Sequence, residues 1–440
     1  MQKKLLTVAV ATALVAPCVS RAQGNVEVTG WITTALTRLS YSPSTAGVPG
    51  VTKWDVTQGG SVWGIRGRES LGGGLTAWFE ISQNAPMEQS NSIASTEASR
   101  NAAVGIQGQW GNVFMGSWYT PWVDLDVLWN VGTVGIWGPV VSTIGRRETH
   151  GTAPNPNCNN SPGQSGGPAI PNTNATTLQP TCDAVEGGGG VGHPFWRRAS
   201  QAVVFHSPVF ADVQFKVLYQ TNEGKATTAL SADPSMWSTS LSWAGMGGRA
   251  RIGAAFDSHR EFTAPGKTDT GWAIKGGYHF GVVDVGLAYE SMTYRALFSD
   301  CKAKQYAIAL RIPVARGSIR AAYSKAKAIE GLFGVPHARP PGVLWGAQNC
   351  NTPGSDALGN VAGSTVPVAG NTGATQYNIG YQHDFSKRTD VGIGYAAIKN
   401  DPAAAFSWAT LSPAPDGANG NQPFAGSDIS MPFVSITHRF

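Results

Sequence analysis

Cysteine, charge and long apolar runs are all scarce in this chain. Of 440 residues, 5 are cysteine and only 13% are charged. No Cys-x-x-Cys pair occurs, so the usual spacings for zinc, haem or dithiol redox chemistry are missing. The apolar run Leu5 to Val19 falls short of the roughly 18 residues that a membrane-spanning helix needs. The 8 histidines are scattered, and no spacing pairs one with a nucleophile. A hydrolase-like pattern, Gly163-Gln164-Ser165-Gly166-Gly167, sits in a Pro/Gly-rich stretch that offers no strand-to-helix elbow to expose its serine. The glycine runs Gly72–Gly74 and Gly187–Gly190 open no helix that would cradle phosphate. These absences argue against an enzyme, a metal site or a cofactor.

Basic charge is also too sparse for a nucleic-acid partner. The formal charge is +5, and Lys3, Lys4 and Arg21 account for three of it, so removing them leaves 5 − 3 = +2. Those three residues flank the apolar run, which ends in the small-x-small site Ser20-Arg21-Ala22. This is the pattern of a secretory signal peptide over 1–22, with cleavage expected after Ala22. Pro17 speaks against lipidation at its neighbour Cys18.

Beyond residue 23, period-two segments of about ten residues recur to the end of the chain, about sixteen of them. In the clearest, Val283, Val285, Leu287 and Tyr289 fall on one face, and Asp284, Gly286, Ala288 and Glu290 on the other. The second is expected over 60–69 and the fourth over 99–108. Alternation alone fits either a soluble β-sandwich or a transmembrane barrel. Two features favour the barrel. Tight turns such as Ser70–Gly73 and Val314–Arg316 interleave with long Gly/Pro/Asn/Ser-rich connections, and aromatics such as Phe280, Phe385 and Phe440 gather at strand ends. The mean hydropathy of −0.12 also fits, because lipid-facing and lumen-facing residues cancel in the average. The expected fold is therefore all-β: a transmembrane antiparallel β-barrel occupying 23–440. Its longest connection is 120–197, with further long loops at 326–374 and 399–429. Connections of this length are usually functional or disordered.

Phase then sorts the charges. If Trp63 and Ile65 face lipid, Arg66 and Arg68 face the lumen, and Val203 and Phe205 place Arg198 there as well. The same count turns Lys216, Arg249, Arg251, Lys275, Arg311 and Arg320 inward, with Glu80, Asp212, Asp257, Asp284, Glu290 and Asp384. A cation at the lipid midplane costs roughly 2–4 kcal/mol, which rules out the opposite phase.

Several short motifs carry a family resemblance. Gly64-Ile65-Arg66-Gly67-Arg68-Glu69-Ser70-Leu71-Gly72-Gly73-Gly74-Leu75 resembles the turn between the second and third strands of Gram-negative trimeric porins. So do Arg100-Asn101-Ala102-Ala103-Val104-Gly105-Ile106, Gly111-Asn112-Val113-Phe114-Met115-Gly116, Ser386-Lys387-Arg388-Thr389 and Thr437-His438-Arg439-Phe440. The resemblance implies a sixteen-stranded homotrimer in the Gram-negative outer membrane that passes small hydrophilic solutes. Its third outer loop would fold into the lumen as a constriction. It also implies contacts with outer-membrane lipid and lipopolysaccharide, and with the barrel-insertion machinery, which would read Phe440 on the final strand as an assembly signal. By the same resemblance, Arg66, Arg100 and Arg198 would line the wall, where the alternation also places Arg68 and Glu80, and Asp124 and Asp126 are the nearest acidic candidates on the loop. The chain departs from the pattern at Val62, where the family usually has a wall arginine, at Ser70, and in a longer loop without a Pro-Glu-Phe-like tip.

Inward basic positions outnumber acidic ones, so weak anion selectivity is expected. Trp118, Trp122, Trp129 and Trp137 would either offer a greasy surface to solutes or pack the loop in place. The four cysteines after Cys18, namely Cys158, Cys182, Cys301 and Cys350, lie in or beside outer loops of an exported chain. Disulfides within 158–182 and between 301 and 350 are the expected pairing. The alternative to a pore is a plugged barrel acting as a surface adhesion or structural protein.

Overall fold

The computed structural model describes residues 25–45, 47, 49–58, 60–85, 100–139, 195–222, 234–261, 266–295, 300–328, 330–331, 373–402, 404, 406, 408 and 426–440. The signal segment 1–22, the Gly163–Gly167 pattern, Cys158, Cys182, Cys350 and the side chain of Cys301 lie outside the described residues.

Sixteen antiparallel strands close on themselves. β1 is Asn25–Tyr41, and β2 runs in two pieces, Val51–Gln58 and Val62–Gly72. There follow β3 Leu75–Asn84, β4 Ala102–Gly108, β5 Gly111–Tyr119, β6 Arg198–His206, β7 Val213–Gln220 and β8 Ser235–Gly245. Then come β9 Ala250–Arg260, β10 Thr268–His279, β11 Asp284–Arg295, β12 Asp300–Val314 and β13 Gly317–Ala326. β14 Ala374–Asp384, β15 Thr389–Asn400 and β16 Ile429–Arg439 complete the set. Each strand pairs with its neighbours in sequence, and β16 pairs back onto β1 from Trp31–Arg439 to Tyr41–Ile429, leaving no open edge. A two-residue piece, Glu330–Gly331, adds to the outer end of β12.

The exposed face settles sandwich against barrel. Leu36, Val56, Val104, Leu241, Leu287 and Ile393 all point outward and are exposed, while their sequence neighbours turn inward. A water-soluble sheet would bury this apolar band; lipid solvates it. Short turns collect at one end, as at Gly73–Gly74, where Gly72, Gly73 and Gly74 all take positive φ that only glycine adopts without strain. Long connections collect at the other. Phe440 lies at the short-turn end, where its backbone exchanges hydrogen bonds with Gly30 at 3.0 and 3.1 Å.

The second strand begins earlier than the alternation over 60–69 suggests. Val51–Gln58 pairs with the outer half of β1 and Val62–Gly72 with its inner half, and the chain advances four positions from Gln58 to Val62 while β1 advances three from Thr34 to Trp31. The extra residue is a bulge. Ser61 fills it, its hydroxyl accepting from Thr33 N at 2.9 Å and donating to Thr33 O at 3.1 Å. Inward positions are odd above the bulge (Thr57) and even below it (Arg66), so a single parity count could not join the two halves.

Candidate functional site

Between β5 and β6 the chain turns into the barrel. Thr120 N donates to Arg197 O at 3.1 Å, closing the neck of the loop. Pro121 opens a one-turn helix, Pro121–Asp124, and Leu125–Leu128 continues it as a 3-10 turn. From there residues 129–139 follow the inner wall round to β16 and β1. Trp122, Trp129 and Trp137 are wholly buried against that wall. Trp122 packs with Phe195, Ala255 and Ala273, and Trp129 with Ala288, Ala307, Ala309 and Ala322. Trp137 packs with Leu39 and Phe433 and makes an edge contact with Trp408. The inward faces of β9 to β13 thus form a trough of small residues into which the Trp122 and Trp129 indoles seat. A Cβ on Gly286 would collide with the Trp129 carbonyl oxygen, and one on Gly132 with the Ala321 carbonyl oxygen. Burying each indole stabilises the docked loop by about 2–3 kcal/mol. These three tryptophans therefore hold the loop in place and offer no surface to solutes. Trp118 packs edge-on against Trp78 and Phe114. Alanine and glycine at successive inward positions of β9 to β13, where water would favour polar residues, were the available sequence signal for this trough.

A buried ionic cluster pins the loop at its first turn. Lys275 Nζ from β10 donates to Asp126 Oδ1 at 2.7 Å and to the Trp122 carbonyl at 3.3 Å, and lies 2.9 Å from Glu290 Oε1 of β11. Indole N–H groups and an amide supply further donors to the carboxylates. Trp129 and Trp196 donate to the two Asp126 oxygens at 3.1 and 2.6 Å, and Trp122 and Gln305 to those of Glu290 at 3.0 and 3.1 Å. Lys275 and Glu290 have no exposed surface. Asp126 is thus an anchor beneath the loop and does not project into the constriction; Lys275 and Glu290, though inward, do not meet water. On the loop's return limb, Phe195 stacks on buried His259 at 4.3 Å between ring centroids.

Asp124 sits nearer the water. It takes a hydrogen bond from Lys216 of β7 at 2.7 Å, with His206 at 4.0 Å. Burial pushes its carboxyl above the usual carboxylate range, and the Lys216 charge opposes that rise.

Among the described residues, the loop segment 120–139 runs along the other side of the barrel from the wall formed by β2 to β4. Arg66 is exposed on it, donating through two nitrogens to Glu27 Oε2 at 3.0 and 2.8 Å, and pairs across the strands with Glu80. Arg68 is exposed one step nearer the short turns, opposite Asn25 and Trp78. Arg100 donates to Asn84 Oδ1 at 2.6 Å and to Gly60 O at 3.3 Å, with its guanidinium 5.8 Å from the Trp31 ring. Arg198 donates to Asn101 at 2.9 Å, lies 3.7 Å over the Tyr119 ring, and together with Arg66 acts electrostatically on Glu80. Strict alternation from Val203 does not carry to Arg198, because the register shifts opposite Gly116 and Trp118 and Gln201 takes a φ of 51°. The structure therefore gathers Arg66, Arg100, Arg198 and Glu80 on one arc of the wall and separates Asp126 from them.

No group of three or more His, Cys, Asp or Glu side chains among the described residues is placed to hold a metal ion. A family profile described as Gram-negative porin matches residues 6–403. No curated protein sequence matches the chain. Among solved structures it resembles an anion-selective porin from Comamonas acidovorans, with TM-score 0.61 and 17% identity over 95% of this chain and 100% of that one. It also resembles OmpT, an outer membrane protein of Vibrio cholerae, with TM-score 0.56 and 12% identity over 97% and 100%. The outer membrane channel DcaP of Acinetobacter baumannii gives 0.51 and 10% over 95% and 97%. Identities this low establish a shared fold.

Proposed function

The chain belongs to the Gram-negative porin family, an outer-membrane diffusion channel, and from that premise we propose that its pore weakly prefers anions. The observation that carries this reading is the fate of the two acids in the loop's described segment 120–139. Asp126 is spent beneath the loop on Lys275, and Asp124 is ion-paired with Lys216, so neither offsets the arginines on the facing wall. Charges lining a narrow aqueous pore with low-dielectric walls focus their field into it, whereas those on outer loops are screened within about 8–10 Å. The structurally similar Comamonas protein is itself described as anion-selective. The working unit is a homotrimer, and small hydrophilic solutes are its cargo; no bond is made or broken.

Reversal potentials across a planar bilayer under a salt gradient test the preference. Wild type is expected to favour chloride over potassium, and Arg100→Ala with Arg198→Ala to lose part of that bias; cation preference in the wild type overturns it. The same preparation, chemically cross-linked beforehand, is expected to run as a trimer, and a monomer band alone would count against that assembly.

Acidity should strengthen the bias. Asp124 titrates above the usual carboxylate range, so lowering the pH protonates it early and leaves the Lys216 charge without its partner. Anion preference is expected to rise on acidification in the wild type by more than in Asp124→Asn, where other carboxylates alone respond. An identical pH response in the two proteins would remove Asp124 from the account.

A further inference from the structure

We infer that the last outer loop positions the constriction segment: Trp408 closes over Trp137 and holds the far end of that segment on the wall. The inference is independent of which ion the pore prefers. The two ends of 120–139 are secured by different means, the first turn by the Lys275 cluster, whereas 129–139 contains no charged residue. Asn378 and Arg320 of the wall reach the backbone there, donating to the Gly132 and Thr133 carbonyls at 2.8 and 3.0 Å. Past Thr133 the segment folds on itself, Val134 and Trp137 exchanging backbone hydrogen bonds at 3.1 and 3.0 Å, and its largest side chain is the Trp137 indole. Leu39 and Phe433 meet that indole from the wall. Trp408 meets it from the last outer loop, edge-on, with ring centroids 5.6 Å apart and planes at 73°.

Trp408 is held in place by its own loop. Ala404, Phe406 and Trp408 are all fully buried, and all belong to the cluster that contains Trp137. Asn400, at the outer end of β15, grips this stretch as a neighbouring strand would: its side-chain amide accepts from Phe406 N at 2.8 Å and donates to Phe406 O at 3.0 Å and Ser427 O at 2.8 Å. Two further connections tie the turn before it. Asp401 N donates to Gly373 O at 2.9 Å and Asp401 Oδ2 accepts from Gly373 N at 3.0 Å, while Thr45 donates to the Pro402 carbonyl at 2.8 Å. Burial of one indole against the other supplies the strength of the contact, and these ties fix where it is made. The size limit of the channel then depends on a loop outside the constriction.

Single-channel recording and liposome swelling on the intact protein test this. Trp408→Ala is expected to raise the frequency of current-noise bursts about tenfold or more, because losing a buried indole shifts a two-state equilibrium by at least that factor, and to admit sugars that the wild type excludes. Trp408→Phe, which keeps an aromatic edge, is expected to stay near the wild type. Trp137→Ala should have at least as large an effect, since it loses the wall contacts too, and adding Trp408→Ala to it should change little. Asn400→Ala removes none of the buried aromatics; it should reproduce the noise in milder form, and it carries the test if Trp408→Ala fails to assemble. Wild-type noise and size limit in Trp408→Ala or in Asn400→Ala overturn the inference, as do effects of the two tryptophans that simply add.

Discussion

Lys275→Met is expected to release the constriction loop. The substitution removes the cation shared by Asp126 and Glu290 and leaves two buried carboxylates facing each other. Breaking a buried pair in this way typically costs about 3–5 kcal/mol, comparable to seating one or two of the loop's indoles. The barrel should persist, since Lys275 contributes only its backbone to the β10 ladders with β9 and β11. The loop should lose its fixed seat and swing freely, clearing the lumen for part of the time. Single-channel current noise should rise, and liposome swelling should admit larger sugars than the wild type does. The triple variant Lys275→Met, Asp126→Asn, Glu290→Gln removes the charges together and should restore much of the quiet behaviour. A quiet Lys275→Met channel with an unchanged size limit would show that the indoles alone suffice.

Gly286→Val is expected to act in the opposite sense. The loop backbone at Trp129 rests directly on the β11 backbone at Gly286, so a side chain there meets a carbonyl oxygen that no rotamer change can move aside. Overpacking of this kind costs about 1–3 kcal/mol and is relieved by displacing the less constrained partner. That partner is the loop, because β11 is held by ladders on both sides. Displaced toward the lumen, it narrows the channel, and the unitary conductance should fall. Wild-type conductance in this variant would mean that the loop takes up the strain sideways along the wall.

The barrel was legible because lipid and water impose opposite demands on alternate residues, and that demand is written at every step of a strand such as Asp284–Arg295. The span of the inserted loop was legible from its length, and its turn into the lumen only from the family resemblance. What escaped is what depends on the loop's own path. Asp126 reads as an exposed acid by its position near the loop's start, and only Lys275 on the wall, with two indole donors from the loop itself, reveals it as an anchor. Trp122, Trp129 and Trp137 were ambiguous for the same reason: an indole against alanines is core, and one against water is a binding surface. For Trp122 and Trp129 the alanines and glycines that decide the matter sit more than a hundred residues away, at Ala255, Ala273, Gly286 and Ala307. The outer half of β2 was missed because the bulge at 59–61 reverses the phase that would have linked it to Arg66.

That bulge also behaves as a frame-setting device. A membrane strand is read two residues at a time, one for oil and one for water, and a single inserted or deleted residue shifts everything beyond it into the wrong solvent. In β2 the extra residue at 59–61 has already been counted, and both halves are in frame with β1. Losing it without a compensating change would turn Arg66 and Arg68 toward the lipid, at roughly 2–4 kcal/mol for each charge near the midplane. The wall that carries the channel's basic charge is thus kept in frame by one serine folded back onto Thr33.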